Sequence, residues 1–312
     1  MNNDNKATFW SKDSLSAKIG LWSGTQIKDF FVPLLQLQAN EFIYDIGGGF
    51  SPLGYAFLPY IMPQGKITVF DVDNQIIERA NRFAHEKNVS KYLTYKEGDV
   101  FNLENNNLEA ADLVMCQQLL VNLQDPVTAL EKMIDFTKTS GRVFCVENIN
   151  YGAYIHRPDF SWKANLKLSQ IWQKLCLSGK FGVDYANTAL GANLPQIFQE
   201  LGLKNVQWQI ISSGTNPQPP YTEEFKRTFI LNYKKEKRRL KELILNDWAP
   251  NTDLTQEELN FFLLNAIESE YDIHAITNDL FLTQWYYPMM AIVGWLEEKK
   301  EKISRNITLE MM

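Results

Sequence analysis

Cysteine and histidine are scarce in this chain of 312 residues, which has three of each. Cys116, Cys145 and Cys176 form an odd, scattered set. That excludes a disulfide framework and a zinc spacing, and predicts three reduced, mostly buried thiols. His85, His156 and His274 are too dispersed to propose a metal site. Basic charge is also in deficit. With 31 Lys and Arg against 37 Asp and Glu, the net charge is −6, so the positive field of a general nucleic-acid binder is missing. Long apolar runs are absent as well. The longest, YYPMMAIVGWL (286–296), falls far short of the roughly 20 residues of a membrane span. The opening MNNDNKATFW has no apolar stretch like that of a signal peptide. These absences predict a soluble cytoplasmic protein without nucleic-acid or membrane partners.

What is present fits a globular fold with a sizeable core: 45% of the residues are hydrophobic and 22% charged. The first forty residues read as a helical cap. Apolar strands and helices then alternate. Strands are predicted at 41–46, 66–72, 92–99, 111–117 and 141–147, with helices at 51–61, 74–87 and 125–138. This alternation predicts an α/β, doubly wound, Rossmann-like sheet. Helices at 162–175 and 193–203 precede a sixth strand at 204–212, and helices at 222–245 and 255–272 follow it. A seventh, antiparallel strand is expected at 285–297. The expected organisation is a cap at 1–40, an α/β core at 41–212 with a helical insertion at 150–190, a helical lid at 213–284, and a final strand and tail at 285–312. The basic run KKEKRRLK (234–241) reads as the solvated face of a helix.

The segment YDIGGGFSPLGYAF (44–57) carries the chemistry. Asp45 ends a strand, and Gly47, Gly48 and Gly49 allow a tight turn on which a ligand can lie against bare backbone. Ser51 and Pro52 make a helix start, with Ser51 as the expected cap. Carboxylates end the next two strands. Asp71, beside Val72, could accept both hydroxyls of a ribose, and Asp99, beside Val100, could accept from an adenine amino group. Ligands of open parallel sheets bind at such strand ends. Asp73, two residues beyond Asp71, suits a cap for the helix at 74–87.

Two cofactors compete for this nucleoside site. A nicotinamide dinucleotide would call for G-x-G-x-x-G and helix N–H groups on its pyrophosphate. Here Pro52 stands at the third position and has no N–H. S-adenosylmethionine (SAM) carries no phosphate. Over about 41–148 and 190–212 the chain resembles the class I SAM-dependent methyltransferases of the small-molecule type. Their E/D-x-G-x-G-x-G turn is matched at Asp45, Gly47 and Gly49, with Ser51 in place of the last glycine. VFDVDNQIIERA is similar to the family's second motif, GDVF to its adenine segment, and ADLVMCQQLLVNLQDP to its fourth-strand motif. The resemblance implies SAM on Asp45, Gly47, Gly48, Gly49, Ser51, Asp71, Val72, Asp99 and Val100, with Gln117 nearest the methionine end.

Methyl transfer to a small-molecule, secondary-metabolite-like acceptor is therefore the expected function. The alternatives are a nicotinamide-dependent oxidoreductase and a SAM-binding protein without activity. The tetrapeptide CQQL (116–119) differs from the NPPY of methyltransferases that modify nucleic-acid amino groups. Trp22, Gln118, Tyr151 and Trp162 are candidate acceptor contacts, and His156, after the fifth strand, is the candidate base. A homodimer is carried as the candidate assembly.

Overall fold

The computed structural model describes residues 24, 26–103, 108–149, 154–176, 190–212, 219–286 and 288–298. Most of the expected cap, with Trp22, lies outside these residues, as does Tyr151. The described part of the cap is helical at Gln26–Phe31 and Val32–Leu35.

The sheet-forming half runs β1 (Phe42–Ile46), α1 (Pro52–Ile61), β2 (Lys66–Asp71), α2 (Asn74–Glu86), β3 (Leu93–Glu97), β4 (Ala111–Gln117), α3 (Pro126–Asp135) and β5 (Thr137–Asn148). After β6 (Tyr154–His156) and α4 (Trp162–Lys174), α5 (Leu190–Glu200) and β7 (Lys204–Ser212) return to the sheet. Then come α6 (Glu223–Leu243), α7 (Gln256–Phe262), α8 (Tyr271–Thr277), β8 (Gln284–Tyr286) and β9 (Pro288–Trp295). The main sheet has seven strands in the order β3-β2-β1-β4-β5-β9-β7. The strands β1 to β5 pair in parallel, and β9 lies antiparallel between β5 and β7. The doubly wound fold with an antiparallel last strand is thus as expected. The strand order reverses between β1 and β4, where such sheets open a crevice.

Residues along each central strand alternate between two cores. From β4 and β5, Leu113, Met115, Phe144 and Val146 join a core with Phe31, Leu53 and Phe57 on one face. Val114, Cys116, Val143 and Cys145 join Leu130, Leu190 and Phe198 on the other. Burial on both faces is what makes these strands apolar throughout. All three cysteines are buried free thiols, as expected.

Three predicted elements differ most from expectation. The strand at 141–147 starts earlier, at Thr137, because Thr137 already pairs with Ala111 and the helix ends at Asp135. The strand at 285–297 is two strands. Gln284–Tyr286 pairs with β6 in a separate two-stranded sheet, and Pro288, which has no N–H to donate, begins β9 in the main sheet. The helix at 255–272 breaks after Phe262 into a wider π turn at Leu263–Ile267. There the Asn265 carbonyl accepts from Arg157 Nη1 at 2.6 Å and the Ala266 carbonyl accepts from Lys237 Nζ. Side chains that capture ladder carbonyls in this way distort a helix.

The helices outside the sheet have a core of their own. Ile155, Leu168 and Trp172 pack with Ile244, Trp248, Phe262 and Ile267. The Trp172 and Phe262 rings stack at 5.8 Å. The 154–176 segment and the 219–282 segment, far apart in the chain, therefore share one apolar centre. Buried Arg157 ties them together. It pairs with Asp159 at 2.6 Å, donates to Ser269 Oγ at 2.9 Å, and lies 4.1 Å from the centre of the Phe160 ring.

Candidate functional site

The glycine turn leaves β1 at the point where strand order reverses, and β2 pins it there. The N–H groups of Gly47 and Gly48 donate to the Phe70 carbonyl at 2.7 and 3.3 Å. Gly47 and Gly49 have φ of +62° and +56°, a region that β-carbons disfavour. Space excludes side chains too. A Cβ at Gly47 would lie 2.6 Å from Leu119 Cδ1, and one at Gly48 would lie 2.5 Å from Asp45 Oδ2.

Ser51 takes a different role from the one expected. It precedes α1 with φ +55°, and its side chain makes no cap hydrogen bond. Its Oγ donates instead to Asp45 Oδ2 at 2.6 Å, in a site closed to solvent. The left-handed backbone explains why a glycine would be the usual occupant, and the bond to Asp45 compensates for the strain. Asp45 is 2% exposed, and burial pushes its pKa up to about 7, opposed by the Ser51 bond and reinforced by the Asp71 charge.

Asp71 joins the turn to β2. Its Oδ2 accepts from Gly49 N–H and its Oδ1 from Asp73 N–H, each at 3.0 Å. Burial holds its pKa above the ordinary value against these backbone bonds. Asp73 caps α2, as expected, accepting from the N–H groups of Gln75 and Ile76 at 2.8 and 3.3 Å. The side chains of the DVD segment thus divide, Asp71 toward the turn and Asp73 toward the helix. Val72 between them is 67% exposed.

The third carboxylate is brought close through backbone, since Gly98 N–H donates to the Asp71 carbonyl at 3.0 Å. Asp99 Oδ1 accepts from Phe101 N–H at 3.0 Å and Oδ2 from Asn102 Nδ2 at 3.1 Å, which orders the loop below buried Val100. Across the crevice, β4 ends at Gln117. Gln118 follows with φ +52° and donates its N–H to the Val146 carbonyl at 2.8 Å. Among the described residues, no group of three or more His, Cys, Asp and Glu is arranged to hold a metal ion.

The sequence reading missed Glu147 and Leu119. Glu147 is fully buried near the carboxyl end of β5, and burial pushes its pKa up to about 7 despite backbone hydrogen bonds from Leu119, Leu120 and Val121. The available signal was a lone charge near the end of the apolar run RVFCVE. Two expected residues lie away from the turn. Trp162 opens α4 in the helical half and is 70% exposed. His156 is exposed on the small sheet, opposite Gln284.

The cradle fits SAM: bare backbone at Gly47–Gly49, a half-buried carboxylate beside it, and a helix whose first residue, Pro52, has no N–H for a phosphate. Comparison with known proteins agrees. A family model described as a methyltransferase domain matches residues 37–202. Demethylmenaquinone methyltransferase of Lactobacillus johnsonii is 22% identical over 199 residues, which is 62% of this chain and 80% of that one. The chain spans from 48% to 80% of the length of the curated relatives it matches.

Among solved structures, the YcgJ protein of Bacillus subtilis aligns with a TM-score of 0.52 at 17% identity, over 88% of this chain and 99% of that one. Phosphoethanolamine N-methyltransferase 2 of Haemonchus contortus, solved with S-adenosylhomocysteine, aligns with a TM-score of 0.50 at 14% identity. That alignment covers 94% of this chain and 59% of the other. At these identities the likeness to the solved structures is one of fold. With the family model covering more than half of the chain, this chain belongs to the methyltransferase domain family: it is a SAM-dependent methyltransferase domain.

Proposed function

We propose that the chain methylates a small molecule held between the strand ends and the helical layer formed by 154–176 and 219–282. The observation that carries this reading is the join of Gly49 and Asp71 at the reversal of strand order, with no complete phosphate cradle beside it. Asp71 then takes the ribose hydroxyls with Val72 alongside, Asp99 and Val100 take the adenine, and Gln117 faces the methionine end. Bound SAM supplies a methyl group already activated by the sulfonium charge. The chain's own task is to hold the acceptor in line at near contact distance and to exclude water. Trp22, Gln118, Tyr151 and Trp162 are the proposed acceptor contacts.

A base is needed only if the acceptor keeps its proton at neutral pH, and His156 is the proposed base. On that assignment His156→Ala lowers turnover by roughly 10²–10⁴-fold with SAM affinity intact. A loss below about threefold removes His156 from the reaction. The wider test is incubation with SAM and metabolite extracts. The expected product gains the mass of one methyl group, with stoichiometric S-adenosylhomocysteine. A chain that binds SAM and yields no S-adenosylhomocysteine with any extract is a SAM-binding protein without transfer activity.

A further inference from the structure

Glu147 has no part in the chemistry above, yet it is the most deeply buried carboxylate beside the crevice. Its Oε1 accepts from Leu119 N–H at 2.9 Å and from Leu120 N–H at 2.8 Å. Cys116 Sγ lies 3.7 Å from the same oxygen, while Oε2 has no hydrogen-bond partner among the described residues. Keeping a carboxylate in such a place is costly unless its bonds are needed.

Those bonds determine where the segment after β4 sits. Gln118 leaves β4 in a left-handed conformation, its N–H held by Val146 and its carbonyl by Asn122 Nδ2 at 2.7 Å. The next two N–H groups converge on Glu147. The Leu119 side chain then reaches across the reversal point to Gly47, filling the space that a Cβ there would occupy. A continuous path of contacts runs from β5 through Glu147 and Leu119 to the glycine turn.

We propose that Glu147 is a positioning residue for the SAM site: through the backbone of Leu119 and Leu120 it presses the segment after β4 against the glycine turn and sets the width of the cofactor crevice. It touches neither cofactor nor acceptor. The inference rests on the site assignment above, so the experiment separates the two.

The experiment is calorimetric titration of the full chain with S-adenosylhomocysteine, at a temperature where circular dichroism shows each variant folded. Glu147→Ala leaves two buried N–H groups unpaired and releases Leu119, and should weaken binding by roughly 5- to 100-fold. Glu147→Gln keeps a carbonyl oxygen for both N–H groups and should stay within about threefold of wild type. Glu147→Asp keeps the charge but draws the acceptor back by one methylene, and should bind at least about fivefold more weakly than Glu147→Gln. Leu119→Ala should weaken binding too, and its effect should be less than additive with that of Glu147→Ala.

A folded Glu147→Ala variant with wild-type affinity overturns the inference. If that variant does not fold, Glu147→Asp decides, and wild-type affinity there overturns it equally. A merely structural role would lower the melting temperature of these variants without this ranking of affinities. The site assignment fails separately, if wild-type chain binds no S-adenosylhomocysteine or if Asp71→Ala binds it unchanged.

Discussion

The glycine turn of the sheet half and the helical half of this molecule hold their polar groups by opposite means. In the sheet half, the site is made of backbone. Three glycines, the N–H groups of Gly49 and Asp73, and short carboxylates from neighbouring strand ends meet within one turn. In the helical half, a network of long side chains around buried Arg157 and Asp272 does the joining. Arg157 reaches Asn265 and Ser269, Lys237 reaches Ala266, and Asp272 receives Tyr233 Oη at 3.1 Å and Thr283 N–H at 2.7 Å. A backbone site of this kind suits a constant ligand, because it changes little with the side chains around it. A side-chain layer with its own core suits a variable acceptor, because it can be repacked without disturbing the sheet.

The strongest way to break this contrast is to damage one half and read the other. Phe262 is fully buried and stacked on Trp172, so Phe262→Ala should cost about 3–5 kcal/mol within the helical core. Acceptor turnover should collapse while S-adenosylhomocysteine affinity, measured by calorimetry on folded protein, stays near wild type. A matching loss of cofactor affinity would show that the halves form one cooperative unit.

Gly47→Val tests the other half. It places a branched side chain at φ +62° and against Leu119, and should weaken cofactor binding by roughly 100-fold or more while the helical core keeps its melting behaviour. Wild-type affinity in a folded variant would remove the turn from the site.

The carboxylates sharpen the comparison within the sheet half. Asp71→Ala removes a charged acceptor from both the turn and the proposed ribose, and should weaken binding by roughly 10- to 150-fold. Asp73→Ala removes a cap with two N–H partners, and should cost about 1 kcal/mol of stability with little change in affinity. The reverse pattern in paired titrations would mean that the ribose belongs to Asp73.

The smallest effect concerns pH. Asp45 is buried with its pKa raised to about 7, above the unfolded carboxylate value, so the folded state binds the extra proton between roughly pH 4 and 7. The stability this contributes is fully present below the unfolded pKa and is lost as pH rises through about 7. Thermal unfolding from pH 5 to 8 should therefore show a decline that Asp45→Asn, or Glu147→Gln for the similarly raised Glu147, makes shallower. An unchanged slope in both variants would place the titrating groups elsewhere.

Much of the sheet half was legible in the chain because its signals are local. Short apolar strands, a glycine turn and acids at strand ends lie within one segment, and their order fixes which strand ends are neighbours. The strand ending at Ile46 and the cap at Asp73 needed no partner from elsewhere to be read. The role of Ser51 was misread because capping and bonding to Asp45 draw on the same hydroxyl, and only the backbone twist at φ +55° decides between them. Glu147 was passed over because a carboxylate near a strand end has no local meaning until the 118–120 segment is folded onto it. The helical half was least legible. Amphipathic periodicity shows that α4 and α6 each have an apolar face, but not that residues as distant in the chain as Trp172 and Leu240 share a core. By itself, then, the sequence determined the doubly wound sheet and the glycine turn, where the information is carried by neighbours along the chain. Tertiary structure alone decided which helical segments share a core and that the buried Glu147 carboxylate holds the N–H groups of Leu119 and Leu120. Those choices rest on contacts between distant residues, whose loop-closure cost is recovered only when both sides are in place.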